Sequence, residues 1–551
     1  MKELSQLHKA RINYQPKLPS VFQKGPKLRI IKGSATESVA DQAKIKEIFP
    51  KTYGLPSISF KAGNDTPIYK PLNIAVILSG GQAPGGHNVI AGIYDALQAC
   101  HPDSKLYGFL GGPSGLVDNN YRELDAEYIE EYRNTGGFDI IGSGRTKLET
   151  KKQYEATLKN CKALNIETIV IIGGDDSNTN AAVLAEYFAQ QNVDITVIGV
   201  PKTIDGDLKN ELIEASFGFD TATKVYSELI GNISRDANSA KKYWHIIRLM
   251  GRSASHITLE CALKTQPNFA LISEEVEAKK QNLDDITEQL TDIIVKRSEN
   301  NEDFGVLVIP EGLIEFIPDM KELIEELNEL IAKNEDEFND IDDCDDKRDY
   351  IIDKLEGHNS ELYECLPESI AEQLIMERDP HGNVQVSLIE TDKLLVHMIG
   401  QRLNELKKEG KYKGDFKTHT HFFGYEGRCS FPSNFDADYT YALGYTAAIL
   451  AENKCTGYMS SVRNLTDKVE NWKPSGVPIT HMMNIERRHG KDKPVIRKAL
   501  VKLDGKPFKT YLANRDKWAI ETTYIYPGPI QYYGPEEVCD LKTLTLELEH
   551  Q

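Results

Sequence analysis

The chain has 551 residues, too many for one hydrophobic core, so two to four domains are expected. With 40% apolar and 27% charged residues it has the composition of a globular protein, and its formal net charge is −19. That acidity argues against nucleic acid or an anionic membrane as partner, because both favour a basic surface. The eight cysteines are scattered without a C-x-x-C pair, which argues against a disulfide framework or zinc knuckle. The first residues lack the apolar stretch of a secretion signal, and no apolar run is long enough to span a bilayer. No membrane association and a cytoplasmic location are therefore expected.

Residues 1–71 are rich in Lys, Pro and Gly. Pro16, Pro19, Pro26, Pro50, Pro56 and Pro67 are expected to interrupt regular structure there, leaving an N-terminal extension with little core of its own. From Asn73 the texture becomes an α/β alternation. Strands are predicted over Ile74–Leu78, Thr168–Ile172, Ile195–Val200, His245–Leu249, Phe269–Ile272 and Val306–Ile309. Helices are predicted over Asn88–Cys100, Thr179–Gln191 and Ala254–Leu263. Strands this apolar, spaced by helices, fit buried parallel sheets. Over 318–415 the pattern turns helical and acidic, with Leu323, Ile324, Leu327, Leu330 and Ile331 on one face, as in an insertion. The aspartates 340, 342, 343, 345 and 346 do not make an EF-hand: Cys344 takes the fifth position, Asp345 the glycine position and Ile351 the final glutamate. A solvated loop is expected instead.

Three polar loops follow apolar runs. The first, Ser79-Gly80-Gly81-Gln82-Ala83-Pro84-Gly85-Gly86-His87-Asn88, lets backbone N–H groups approach an anion at a helix N-terminus. Gly81 and Gly86 have the Walker A gap, but His87-Asn88 stands where that motif needs Lys-Ser/Thr. A phosphate site and a tight turn both stay open for it. In the second, Gly173-Gly174-Asp175-Asp176-Ser177, an aspartate cleared by glycines suits Mg²⁺, with phosphates supplying other ligands. Capping of the following helix by Asp176 or Ser177 is the alternative. The third, Pro201-Lys202-Thr203-Ile204-Asp205-Gly206-Asp207, offers a base in Asp205, a substrate hydrogen bond from Thr203 and a cation in Lys202. The alternative there is a surface turn. A base, a metal-binding acid and a cation at the carboxyl edge of a sheet suggest phosphoryl transfer. Separately, His419 and His421 share one face of a strand, without a visible third ligand for a metal.

Four further motifs complete an ordered set: Gly136-Gly137-Phe138-Asp139-Ile140-Ile141-Gly142-Ser143-Gly144-Arg145, Met250-Gly251-Arg252, Pro310-Glu311-Gly312 and Gly424-Tyr425-Glu426-Gly427-Arg428. Together with the loops they resemble the phosphofructokinase family, over roughly residues 72–310 and 416–450. Within it the chain is similar to the pyrophosphate-dependent, long-type branch. ATP-using members usually carry glycine where this chain has Asp176 and Lys202, and aspartate where it has Gln82. A carboxylate at 176 would repel the α-phosphate of a nucleotide, and an ammonium at 202 would compensate a pyrophosphate leaving group.

The resemblance implies an α/β fold of two three-layer α/β/α (Rossmann-like) domains with mostly parallel sheets and the active site between them. The donor domain would take 72–216, completed by about 437–551, and the sugar-phosphate domain 217–436, with 318–415 inserted in it. It implies transfer of a phosphoryl group from pyrophosphate to the 1-hydroxyl of fructose 6-phosphate, reversibly, in glycolysis and with Mg²⁺ as cofactor. Asp205, Lys202 and Arg252 would be catalytic, and Asp175 would support the metal. Gly80, Gly81 and Arg145 would bind diphosphate, and Asp176 with Lys202 would choose the donor. Thr203, Asp205, Met250, Gly251, Arg252, Glu311, Tyr425 and Arg428 would hold the sugar phosphate. Lys242 and Tyr243 would reach a neighbouring subunit's sugar site, as in a homodimer with shared active sites; an arginine is more usual there. An ATP-dependent 6-phosphofructokinase and a non-catalytic sugar-phosphate-binding regulatory homologue are the alternatives.

Overall fold

The computed structural model describes all residues except 1–3, 27, 64–68, 376–383, 385 and 489–490. Two compact units divide the chain: residues 1–222, 425–499 and 530–550 form the first, and 223–424, 500–529 and 551 the second.

At the centre of the first unit lies a parallel sheet whose strands are buried except at a few end residues. Asn73–Ser79 pairs with Lys105–Phe109 on one side and Thr168–Gly173 on the other; Thr196–Thr203 and Tyr458–Arg463 follow outward. In chain order these five strands run 2-1-3-4-5 across the sheet. The crossovers therefore reverse direction between Asn73–Ser79 and Thr168–Gly173, which opens a crevice at their carboxyl ends. Ile74, Val76, Ile77, Ile169, Val170, Val197 and Ile198 are fully shielded from water, as strands covered on both faces require. Helices Gly86–Cys100 and Asn434–Glu452 pack backbone to backbone, because side chains at Gly92 and Gly444 would collide with Tyr441 O and Val89 O.

The N-terminal residues differ from expectation. They form helices Gln6–Ile12 and Gln42–Ile48 and strands Leu28–Ala35 and Pro56–Ala62, which extend the same sheet through Lys473–Pro478. The prolines do not prevent this because Pro16, Pro19, Pro26 and Pro50 fall between elements, and Pro56 opens a strand, where its missing N–H is tolerated. Pro67 lies outside the described residues.

The second unit holds a four-stranded parallel sheet ordered Phe269–Ala270, Gly305–Pro310, Trp244–Leu249, Thr418–Phe423. Its core continues without a break into the inserted helices: Ile246, Leu307 and Ile309 belong to one apolar cluster with Leu323, Leu327, Ile351 and Leu374. Strand Phe269–Ala270 is shorter than predicted because helix Ser273–Lys279 begins three residues beyond its end. In the acidic stretch, Asp343 accepts from the backbone N–H of Asp345 and Asp346 and caps helix Cys344–Lys354, so the stretch expected as a loop turns helical from Cys344. Among the described residues no helix is long and apolar enough to cross a membrane.

Candidate active site

Three neighbouring strands of the first unit end at one edge, and each releases one polar loop. Register fixes their alignment: Leu78 lies beside Ile172, and Gly173 beside Pro201. Strand Thr196–Thr203 runs three residues further than predicted, so Lys202 and Thr203 leave from the strand itself. Pro201 is tolerated within this strand.

The loops are stitched together locally. Asn178, fully buried in helix Asp175–Gln190, donates through Nδ2 to Gly173 O at 2.6 Å, Gly174 O at 2.9 Å and Val200 O at 3.3 Å. Only glycine fits at 199, where any side chain would meet Asn178 Oδ1. Losing this amide would leave buried carbonyls unpaired, at about 1–3 kcal/mol each. Ser177 Oγ donates to Ser79 Oγ at 2.8 Å across the crevice. The helix begins at Asp175 with Gly174 as N-cap and no side-chain cap. Asp176 and Ser177 therefore do not cap a helix from Thr179; Asp175 and Asp176 occupy the first turn, where the helix dipole favours negative charge.

Lys202 is the electrostatic centre of this cluster. It is 5% exposed, and burial pushes its ammonium down to about 8. Arg428 and Arg145 lower it further, while Asp205 and Asp175 hold it up. A side chain at Gly80 (φ +83°) would stand 3.4 Å from Lys202 Nζ, and one at Gly81 would stand 2.7 Å from Arg428 Nη1. Bare backbone is thus presented to two cations, a cradle for an anion. Gly80 N donates to Gly144 O at 2.9 Å, which brings the residue before Arg145 into the same place. Arg428, from helix Tyr425–Arg428, donates to Gln82 O at 3.0 Å and so lies against the first glycine loop.

Asp205 has a buried Oδ1 with no hydrogen-bond partner, while its N–H donates to Thr203 Oγ1 at 3.0 Å. An acceptor held empty in this way suits a base waiting for a hydroxyl. Asp207 behind it is buried, and burial with repulsion from Asp205 raises its carboxyl to about 7. Asp175 keeps a quarter of its side chain exposed, and Asp176 pairs with Lys147 at 3.4 Å. An all-oxygen donor set of this kind, with one reachable carboxylate, fits Mg²⁺ and not a thiolate-loving metal. His87, in the Walker lysine position, is a core residue: fully buried, hydrogen-bonded to Thr135 Oγ1 at 2.8 Å and shifted down to about 4 by burial.

A second cluster forms in the second unit, again at the ends of adjacent strands. Leu249 is aligned with Pro310 and Phe423, so Met250-Gly251-Arg252 and Glu311 emerge side by side. Gly251 (φ +126°) donates its N–H to Glu311 Oε1 at 3.1 Å, and Met250 N to Phe423 O at 3.0 Å. A side chain at Gly312 would strike Arg252 O, so the two loops touch through backbone. Arg252 forks onto Glu315, Nη2 at 3.2 Å and Nε at 3.5 Å.

The other assigned residues fall elsewhere. Lys242 and Tyr243 precede strand Trp244–Leu249, and Met250–Arg252 follow it, a separation of about 20 Å. Tyr425 is 71% exposed. His419 and His421 gain a neighbour that sequence reasoning missed: His245 Nδ1 lies 3.0 Å from His421 Nε2 across paired strands. Burial and mutual repulsion shift His245 down to about 4, a packed imidazole cluster. Also missed were Asn178, Asp207 and Lys147. Asp207 stood in the third loop beside Asp205, and that proximity was the signal for it.

The family model for phosphofructokinase (PFK) matches residues 73–451. The pyrophosphate–fructose 6-phosphate 1-phosphotransferase of Porphyromonas gingivalis is 60% identical over 545 residues, covering 99% of both chains. The Treponema pallidum protein of the same name is 53% identical, covering 99% of this chain and 97% of its own. Among solved structures, the pyrophosphate-dependent phosphofructokinase from Nitrosospira multiformis superposes with a TM-score of 0.54 at 16% identity, over 86% of this chain and 97% of that one. The one from Marinobacter aquaeolei gives 0.53 at 17%, over 82% and 93%. These two likenesses concern the fold.

Proposed function

The chain belongs to the phosphofructokinase family, and from that footing we propose that it uses pyrophosphate as phosphoryl donor and fructose 6-phosphate as acceptor. It moves a phosphoryl group to the sugar's 1-hydroxyl, forming fructose 1,6-bisphosphate and phosphate. The observation that carries this reading is the buried Lys202 ammonium beside the bare backbone of Gly80, with Asp176 in the first turn of the adjoining helix.

In the reaction we propose, the 1-hydroxyl oxygen attacks the terminal phosphorus and the bond to the bridging oxygen breaks. Asp205 Oδ1 takes the hydroxyl proton, and phosphate leaves. Lys202 and Arg145 pair with donor oxygens, and their attraction strengthens as charge moves onto the leaving group. Asp175 would hold Mg²⁺, which when bound neutralises pyrophosphate charge and fixes its oxygens. Asp176 would repel the additional phosphate of a nucleotide, and Lys147 lies 3.4 Å from its carboxylate. Arg252 would bind the 6-phosphate and Glu311 the sugar hydroxyls.

Lys242 and Tyr243, at the opposite end of their strand from Arg252, would serve the sugar site of a second copy, which supports a homodimer. All eight cysteines are free thiols, in keeping with a reducing cytoplasm. The test is a coupled assay with fructose 6-phosphate and Mg²⁺, comparing pyrophosphate and ATP. Turnover with pyrophosphate alone is expected; turnover with ATP alone would overturn the donor assignment.

A further inference from the structure

Lys498 takes no part in the chemistry proposed above, yet its main chain is fastened beside it. The antiparallel hairpin of Met483–Arg488 and Lys491–Ile496 delivers it. The residues around it are tied down one after another. Ile496, 1% exposed, donates its N–H to Thr179 Oγ1 at 3.2 Å, on the helix that begins with Asp175. Arg497 N donates to Met482 O at 2.9 Å, and Ala499 N donates to Asp207 O at 2.7 Å. Between these anchors Lys498 Nζ lies 3.7 Å from Asp175 Oδ2. Its charge also opposes the repulsion that Asp205 and Asp175 impose on Asp207. Two carboxylates of the site, Asp175 and Asp207, are thus served by one cation brought from far along the chain.

The form of the pair matters. At 3.7 Å it is an ion pair beyond hydrogen-bond length, with side chains 35% and 26% exposed. Such a pair adds little stability, so structural need alone gives a weak reason for it. It is loose enough to exchange. An ammonium and a divalent cation beside the same carboxylate repel one another, whereas a metal–pyrophosphate complex brings anionic oxygens that an ammonium can pair with.

On the footing of the pyrophosphate reaction, we infer that Lys498 is a positioning residue: it serves Asp175 as resident counter-cation in the free protein. When metal and pyrophosphate arrive together it releases that carboxylate to the metal and turns to the pyrophosphate oxygens. Metal binding to the free protein is thereby restrained, and binding of the complete donor is favoured.

The test titrates Mn²⁺ into the substrate-free protein, followed by water-proton relaxation, for wild type, Lys498→Gln, Lys498→Met and Lys498→Arg. The neutral variants should bind Mn²⁺ about five-fold tighter than wild type, and Lys498→Arg as wild type does. In steady state the neutral variants should show a KM for pyrophosphate raised about ten-fold, with KM for fructose 6-phosphate unchanged. Equal Mn²⁺ affinity in all four proteins, including no binding by any, overturns the inference. So does a parallel rise in both KM values, which would mark a merely structural pair. Failure of both neutral variants to fold while Lys498→Arg folds overturns it likewise. Should wild type not turn over pyrophosphate at all, the proposed reaction fails, while the Mn²⁺ titration still reports on Lys498 and Asp175.

Discussion

Lys202 and Arg252 are both cations proposed to meet phosphate, and they live under opposite conditions. Lys202 is 5% exposed at the end of a buried parallel strand, with its ammonium pushed down to about 8. The Arg252 side chain keeps 39% exposure and rests on Glu315. A desolvated charge acts strongly over short distances but is costly to maintain; a solvated one is screened and easily kept. On the proposed reaction the Lys202 cluster would suit charge that develops as the phosphoryl group moves, and the Arg252 cluster a phosphate that does not change.

Substitutions should separate the two. Asp205→Ala removes the empty acceptor and should lower kcat by about 10³-fold while KM for fructose 6-phosphate stays near wild type. Rapid-mix measurement of bisphosphate formation checks this, and an unchanged rate would remove the base. Lys202→Met should cost about 10²-fold in kcat/KM for pyrophosphate with little effect on sugar affinity. Arg252→Ala should do the reverse, raising KM for fructose 6-phosphate about 30-fold with kcat nearly kept, as expected for one lost charge-assisted contact of about 2 kcal/mol. If both variants changed the same parameter, the contrast between the clusters would collapse. The smallest effect comes from pH. Because the Lys202 ammonium titrates near 8 in the free protein, kcat/KM for pyrophosphate should fall as pH rises through 8, and binding is complete below it. By pH 9 the loss should be about ten-fold, and Lys202→Arg should abolish this limb of the profile.

What the sequence made legible was local. Each donor loop is a strand, a few polar residues and a helix, so Gly80, Asp175 and Lys202 announce their place by what precedes and follows them. Strand ends were read one to three residues short because Gly173, Pro201 and Lys202 carry no β propensity, and sheet pairing overrides it. The N-terminal strands were hidden for a similar reason: the strand that joins them to the sheet, Lys473–Pro478, lies more than four hundred residues from Pro56–Ala62. Contacts of that reach leave no periodic trace. Arg428 on Gln82 O spans 346 positions, and Lys498 beside Asp175 spans a comparable stretch. Likewise His245 joins His421 only because strand register aligns them.

The central claim is that Asp176 and Lys202 together admit pyrophosphate and turn nucleotides away. It is tested most directly by Asp176→Gly combined with Lys202→Gly, measuring kcat/KM for ATP and for pyrophosphate on the same folded preparation. The account predicts that the ratio of ATP to pyrophosphate use rises by about 10²-fold or more, as a repelling carboxylate leaves and the smaller donor loses its cation. A folded double variant whose ratio matches wild type would contradict it.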